Sequence, residues 1–161
     1  ISKRCGIEMV VDASAEDAVE AVKKLTDGRG ADIIVEATGI AAVALNAIGM
    51  AAQNAEMIEL GTPRGSYEAD LGPLLRAVHR ASPNMTLKGA HGGSIPAAQN
   101  QFMKHSLARN ARIVLDMIAR GEFHIEPLLT RTIKPEEADR AYRDLRDHPE
   151  RTLAITIGWG G

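Results

Sequence analysis

The chain has 161 residues, of which 45% are hydrophobic and only 3% aromatic, and its formal net charge is -2. That length allows one domain with a core of its own, built from Ala, Ile, Leu, Val and Met rather than from rings. The near-balanced charge argues against a nucleic-acid surface, no apolar run reaches the roughly 18 residues of a membrane span, and a single cysteine, Cys5, excludes an internal disulfide. No secretory signal pattern opens the chain, and a reducing, cytoplasmic setting is expected.

In chain order, Ile1–Arg4 reads as the last turn of a helix, with Lys3 and Arg4 at its carboxyl end and Gly6 ending it. Glu8–Val11 reads as a short strand. Ser14 with Asp17 three residues on resembles a capping box, and Ala18, Val19, Val22 and Leu25 give the following helix an apolar stripe. Asp27–Gly30 is rich in turn formers and leads into a strand over Asp32–Glu36, which ends in Glu-Ala-Thr-Gly. A helix is expected over about Ala41–Ala52, with Ala41, Leu45, Ile48 and Ala52 inward. Ala55–Leu60 is the next strand, closed by Gly61-Thr62-Pro63. Leu71, Leu74, Leu75 and Val78 mark a short amphipathic helix, and Thr86–Ala90 a further strand closed by Gly92-Gly93. A long helix is expected over roughly Ala97–Arg120, stopped by Gly121. Pro135 opens a last helix, with Ala138, Ala141, Tyr142 and Leu145 inward, and Leu153–Ile157 is the final strand.

Strands alternating with helices predict an α/β fold with a mostly parallel sheet. In such sheets ligands bind beyond the carboxyl ends of the strands. The Glu36–Gly39 corner and the Thr62–Ser66 loop are therefore where a ligand would be met.

The residues themselves offer little reactive chemistry. His79, His91, His105, His124, His148 and Cys5 never stand at metal-ligand spacing. No Gly-x-Ser-x-Gly elbow is present, and Ser66 and Ser94 have no evident base. His91, just past a strand, either meets a substrate or only lines a cleft. Glu36 either accepts from a ribose hydroxyl or complements the positive end of the next helix. Gly89-Ala90-His91-Gly92-Gly93 has glycines without the Gly-x-Gly-x-x-Gly spacing of a dinucleotide fingerprint.

An ordered set of segments carries a resemblance. Cys5–Asp12, Leu25–Asp32 and Val35-Glu36-Ala37-Thr38-Gly39 resemble the nucleotide-binding domain of the zinc-type medium-chain alcohol dehydrogenases. Leu60-Gly61-Thr62-Pro63 and Leu87-Lys88-Gly89-Ala90 resemble that family's next two strand ends, and Pro135–Ile157 is similar to its C-terminal tail. The resemblance implies a Rossmann-type sheet with flanking helices, present here as an incomplete C-terminal portion. Residues 1–161 would be part of a dinucleotide-binding domain plus the tail, with the zinc domain upstream. The chain opens on Ile1 without a fingerprint loop, as the later part of a larger protein would. On the strand order 3-2-1-4-5-6, two further strands would lie between Glu8–Val11 and Asp32–Glu36.

The resemblance also implies a function: a zinc-dependent, NAD- or NADP-linked dehydrogenase of a small alcohol or polyol. Ribose contacts would fall at Ala37, Thr38 and Gly39. The nicotinamide carboxamide would be held by the backbone of the Leu60-Gly61-Thr62 turn and of Ala90 and Gly92, and Arg151 would meet the pyrophosphate. No catalytic residue and no zinc ligand would come from this segment, which by itself would be inactive. A homo-oligomer is expected, joined near Thr86–Lys88. Two other readings stay open: a zinc-free quinone or enone reductase of the same superfamily, and a non-catalytic α/β binding or assembly module.

Overall fold

A computed structural model describes residues 1–160. The chain forms two compact units, one spanning Val11–Leu107 and the other combining Ile1–Val10 with the segment from Ala108 onward. Both are α/β, with parallel strands and flanking helices.

In the Val11–Leu107 unit, helix α1 (Ala18–Leu25) is capped by Asp17, whose carboxylate accepts from the N–H groups of Val19 (2.8 Å) and Glu20 (3.1 Å). Ser14 is not the cap. Its hydroxyl and N–H both donate to Asp12 Oδ1, a local turn that satisfies the serine before the helix begins. The helix ends where Asp27 and Gly28 take left-handed backbone, at φ 51° and 81°. Strand β1 (Ala31–Glu36) follows, then α2 (Ala41–Ala47) and a single tighter turn, Ile48–Met50. Strand β2 runs from Ala51 to Glu59, so it takes Ala52 from the helix expected there. It starts early because Ala51 pairs with Ala31. The register then shifts by way of Asn54, at φ 59°, before Ile33 pairs with Glu56. Helix α3 (Gly72–His79) leads to β3 (Thr86–Gly89), which pairs with β2.

All three strands are parallel in the order β1-β2-β3. Their core is Ile34, Ala55, Met57 and Met85 packed with Ala47 of α2 and Ala77 of α3. On α3 the inward positions are Leu74 and Ala77, while Leu75, Val78 and the preceding Leu71 are exposed. The Ala77 carbonyl accepts from Met85 N–H at 2.9 Å, tying the end of α3 to the start of β3.

In the other unit, Ser2–Cys5 forms one tight helical turn. It is ended by Gly6 at φ 88°, whose N–H returns to Lys3 and Ser2 carbonyls. Glu8–Val11 is not a strand: no ladder partner stands beside it among the described residues, and Met9 and Val10 are exposed. Helix α4 covers only Leu107–Ala119. Upstream of it Asn100 Oδ1 accepts from Phe102 and Met103 N–H groups, both at 2.9 Å, and this local turn displaces the helical ladder expected from Ala97. Gly121, at φ 70°, does stop α4, with Gly121 N–H on the Ile118 carbonyl and Glu122 N–H on that of Met117. Strand β4 (Leu129–Ile133), α5 (Ala138–Asp147) and β5 (Ala154–Ile157) then make a βαβ unit with the two strands parallel. The Pro135–Glu137 turn opens α5, and Glu137 reaches back to accept from Lys134 N–H at 3.0 Å. Ile133 and Ala141 are buried there, whereas Tyr142, expected inward, is 72% exposed. Among the described residues, no helix is long and apolar enough to cross a membrane.

Candidate functional site at the carboxyl ends of the parallel strands

Glu36, Glu59 and Gly89 stand side by side at the carboxyl ends of β1, β2 and β3. The segments that leave these strands therefore start from one edge of the sheet, and three hydrogen bonds hold them there. Leu60 and Gly61 N–H groups both donate to the Glu36 carbonyl (2.9 and 2.8 Å), and Ala90 N–H donates to the Glu59 carbonyl (2.9 Å). Arg64 N–H reaches the Gly39 carbonyl at 3.2 Å. The structure thus brings together Ala37, Thr38, Gly39, Leu60, Gly61, Thr62, Ala90 and Gly92.

Two of these corners meet backbone to backbone. A Cβ on Gly39, which also has φ 68°, would strike the Thr62 carbonyl oxygen. One on Gly61 would strike Gly39 N and come within 2.8 Å of the Ala37 carbonyl carbon. Only glycine lets both loops approach this closely.

The side chain that fixes the first corner is Glu36. It is buried, and it accepts from Thr38 N–H (2.7 Å), from the Thr38 hydroxyl and from Gly39 N–H (3.0 Å). The Thr38 hydroxyl bond, helped by the two backbone donors, holds the carboxyl below the usual range against the opposing effect of burial. Its neighbour Glu59 moves the other way, pushed up by burial first and by the Glu36 charge second. Glu36 is therefore committed to its own turn rather than presented to a ribose. The Thr38 hydroxyl is equally engaged, since it also accepts from Ile40 N–H at 3.1 Å.

At the third corner His91 folds back on its own loop. Its Nδ1 accepts from Gly93 N–H at 3.1 Å, and its carbonyl accepts from the Ser94 hydroxyl at 2.7 Å. Gly92, the first residue of the tight turn Gly92–Ser94, is exposed. Its N–H meets no acceptor among the described residues, and a Cβ placed on it would meet nothing within 4 Å. The corner thus offers a free backbone donor in open space. The assembled edge can hold a ligand through main-chain groups, and it contains no nucleophile paired with a base. Nor does a group of three or more His, Cys, Asp or Glu stand close enough to hold a metal ion among the described residues.

Arg151 belongs to the other unit. Together with Thr130, Arg131, Arg140, Asp144, His148 and Thr152 it lines a cavity of about 310 Å³. Sequence reasoning missed this cluster, although Arg140, Asp144 and His148 stand at i, i+4 and i+8 along one helix face. Its other wall is β4, which the sequence reading left unassigned.

With this geometry in place, likeness to known proteins is informative. The family described as zinc-binding dehydrogenase matches residues 1–108. The chain belongs to that family. An uncharacterised zinc-type alcohol dehydrogenase-like protein of Haemophilus influenzae is 27% identical over 154 residues, which is 96% of this chain and 39% of the relative. An NAD-dependent alcohol dehydrogenase of Sulfurisphaera tokodaii is 24% identical over 147 residues, 91% of this chain and 36% of its own. Among solved structures, benzyl alcohol dehydrogenase of Acinetobacter calcoaceticus superposes with a TM-score of 0.72 at 21% identity, over 98% of this chain and 39% of that one. The shared fold is the Rossmann-type α/β arrangement described above. The chain spans less than half the length of the relatives it matches.

Proposed function

We propose that this chain supplies the nicotinamide side of the cofactor cleft in a zinc-dependent, NAD- or NADP-linked dehydrogenase of a small alcohol or polyol. The observation that carries the reading is the convergence of three parallel strand ends, with two close-approach glycines and the free N–H of Gly92 at one edge. In this reading the backbone of Ala37, Thr38 and Gly39 meets the ribose. Leu60, Gly61, Thr62, Ala90 and Gly92 hold the carboxamide through main-chain groups, and Arg151 meets the pyrophosphate. A bound nicotinamide would supply the acceptor for a hydride from the alcohol carbon. These residues orient the ring and do no proton transfer. Zinc belongs to parts of the protein outside these residues. The protein works in the cytoplasm as a homo-oligomer joined through the exposed edge of β3 (Thr86–Gly89).

The test is a turnover assay on the full-length protein with NAD and NADP against alcohols, polyols and quinones, with and without a chelator. The expected result is alcohol-dependent reduction of one dinucleotide, lost on chelation and restored by zinc, with no turnover from the 161-residue chain by itself. Chelator-resistant quinone reduction would replace this reading with a zinc-free reductase. Failure to bind either dinucleotide would leave a non-catalytic α/β module.

A further inference from the structure

A cavity of about 440 Å³ opens in the Val11–Leu107 unit between α2 and the segment that joins β2 to α3. Its size is that of an ordinary small-molecule pocket, about 300–1,000 Å³. The walls are mainly apolar: Ala44 and Leu45 come from α2, Tyr67 and Leu71 from the joining segment. Glu59 and Glu68 add carboxylates, and no Lys, Arg or His lines the space. None of the proposed cofactor contacts lines it either.

Glu59 is the informative member. It is the half-buried last residue of β2 and pairs with Glu36 across the parallel ladder, so the two side chains lie on one face of the sheet. Their surroundings differ. The Glu36 carboxylate is satisfied by the Thr38 and Gly39 donors. The Glu59 carboxylate accepts no hydrogen bond and meets no cation among the described residues. Burial first, and then the Glu36 charge, push it above the usual carboxyl range. A half-buried anion without a partner costs free energy that a cation in the cavity would return.

We propose that this cavity binds a small organic monocation, an ammonium on an apolar stem, with Glu59 as its ion-pair partner and Ala44, Leu45 and Leu71 around the stem. Other ligand classes fit less well. A metal ion needs several ligands close together, and no such group stands among the described residues. An anion would meet two carboxylates and no countercharge. A neutral apolar molecule would leave Glu59 unpaired. The exposed Glu68 adds negative charge, and the Tyr67 ring suits an apolar stem and a cation alike.

The experiment is calorimetric titration of the full-length protein at neutral pH with phenethylammonium, with and without saturating NAD or NADP. N-phenethylacetamide supplies the stem without the charge, and methylammonium the charge without the stem. Phenethylammonium is expected to bind, and both controls to bind roughly tenfold or more weakly. Glu59→Gln keeps the shape and removes the charge, and should weaken phenethylammonium roughly tenfold or more, the loss expected for a charged contact. Leu71→Ser should weaken it roughly threefold or more through lost apolar contact. Leu71 is exposed, so this variant carries the test if Glu59→Gln does not fold. The site is overturned if phenethylammonium does not bind, or if the acetamide binds as tightly. It is equally overturned by unchanged affinity in Glu59→Gln, or in Leu71→Ser where Glu59→Gln does not fold. Dinucleotide binding by the same samples reports separately on the strand-end cofactor reading, which none of these results alters.

Discussion

Glu36 shows how one side chain shapes the proposed cleft without touching a ligand. Its carboxylate ties Thr38 and Gly39 to the end of β1, and that turn lets Gly39 meet Thr62. The Thr38 hydroxyl bond lowers its folded pKa below the ordinary value of 4.5, so the ionised form stabilises the fold. That contribution is present above pH 4.5 and is lost as pH falls through the lower folded value. Glu36→Gln should therefore lower the melting temperature at neutral pH and flatten the acid limb of a stability-against-pH curve. Loss of the Glu36 charge also relieves Glu59, whose raised pKa acts in the opposite sense. Thermal melts between about pH 3 and pH 7 would check this, and an acid limb identical to wild type would contradict the assignment. The sequence offered two roles for Glu36 because an acid after a strand and before a helix suits either. Only the three donors around the carboxylate separate them.

Among the elements, periodic segments were legible and local side-chain chemistry was not. β1, β2, β3, α1, α3 and α5 followed from apolar spacing and turn residues. The strand expected at Glu8–Val11 failed because pairing is non-local, and the helix expected from Ala97 failed because Asn100 forms a turn of its own. β4 escaped notice for the converse reason: Leu129-Thr-Arg-Thr-Ile133 is a strand by virtue of its ladder with β5. The cap of α1 gives a direct comparison. Asp17→Ala should destabilise the unit by about 0.5–2 kcal/mol, because two N–H groups of the first turn lose their acceptor. Ser14→Ala should cost little, since that hydroxyl serves only Asp12. Chemical denaturation of both variants checks the pair, and the reverse ranking would restore Ser14 as the cap.

At the scale of the whole molecule, the corners at Glu36–Gly39 and Thr62–Ser66 were legible because the sheet is parallel, whereas the individual cofactor contacts came from the family resemblance alone. Once strand ends are located, the residues beyond them must share an edge. What the sequence did not show was the free donor at Gly92, the commitment of His91 to Gly93, or the basic cavity beside α5. Each depends on which polar groups are left over after folding. β3 is exposed along all four of its residues and lies at the edge of its sheet, which motivates the oligomer prediction. Light scattering on the full-length protein should give a dimer or a dimer of dimers, and Leu87→Lys should weaken it. A strict monomer at micromolar concentration would refute pairing through this edge.

The cofactor cleft itself is tested most directly at Gly92. Gly92→Pro removes the free N–H of Gly92, and proline is well tolerated at the first position of a helical turn. His91, at φ -67° and ψ 130°, already has the backbone a residue before proline adopts. Gly92→Ala keeps the N–H, and its methyl enters open space. The measurement is the dissociation constant of the dinucleotide for the full-length protein and both variants, by cofactor fluorescence. Loss of one hydrogen bond to a buried ligand predicts about 1–3 kcal/mol, or roughly five- to 150-fold weaker binding, for the proline variant, with the alanine variant close to wild type. Unchanged affinity in the proline variant would contradict the placing of the carboxamide at Gly92 and would move the cleft away from the end of β3.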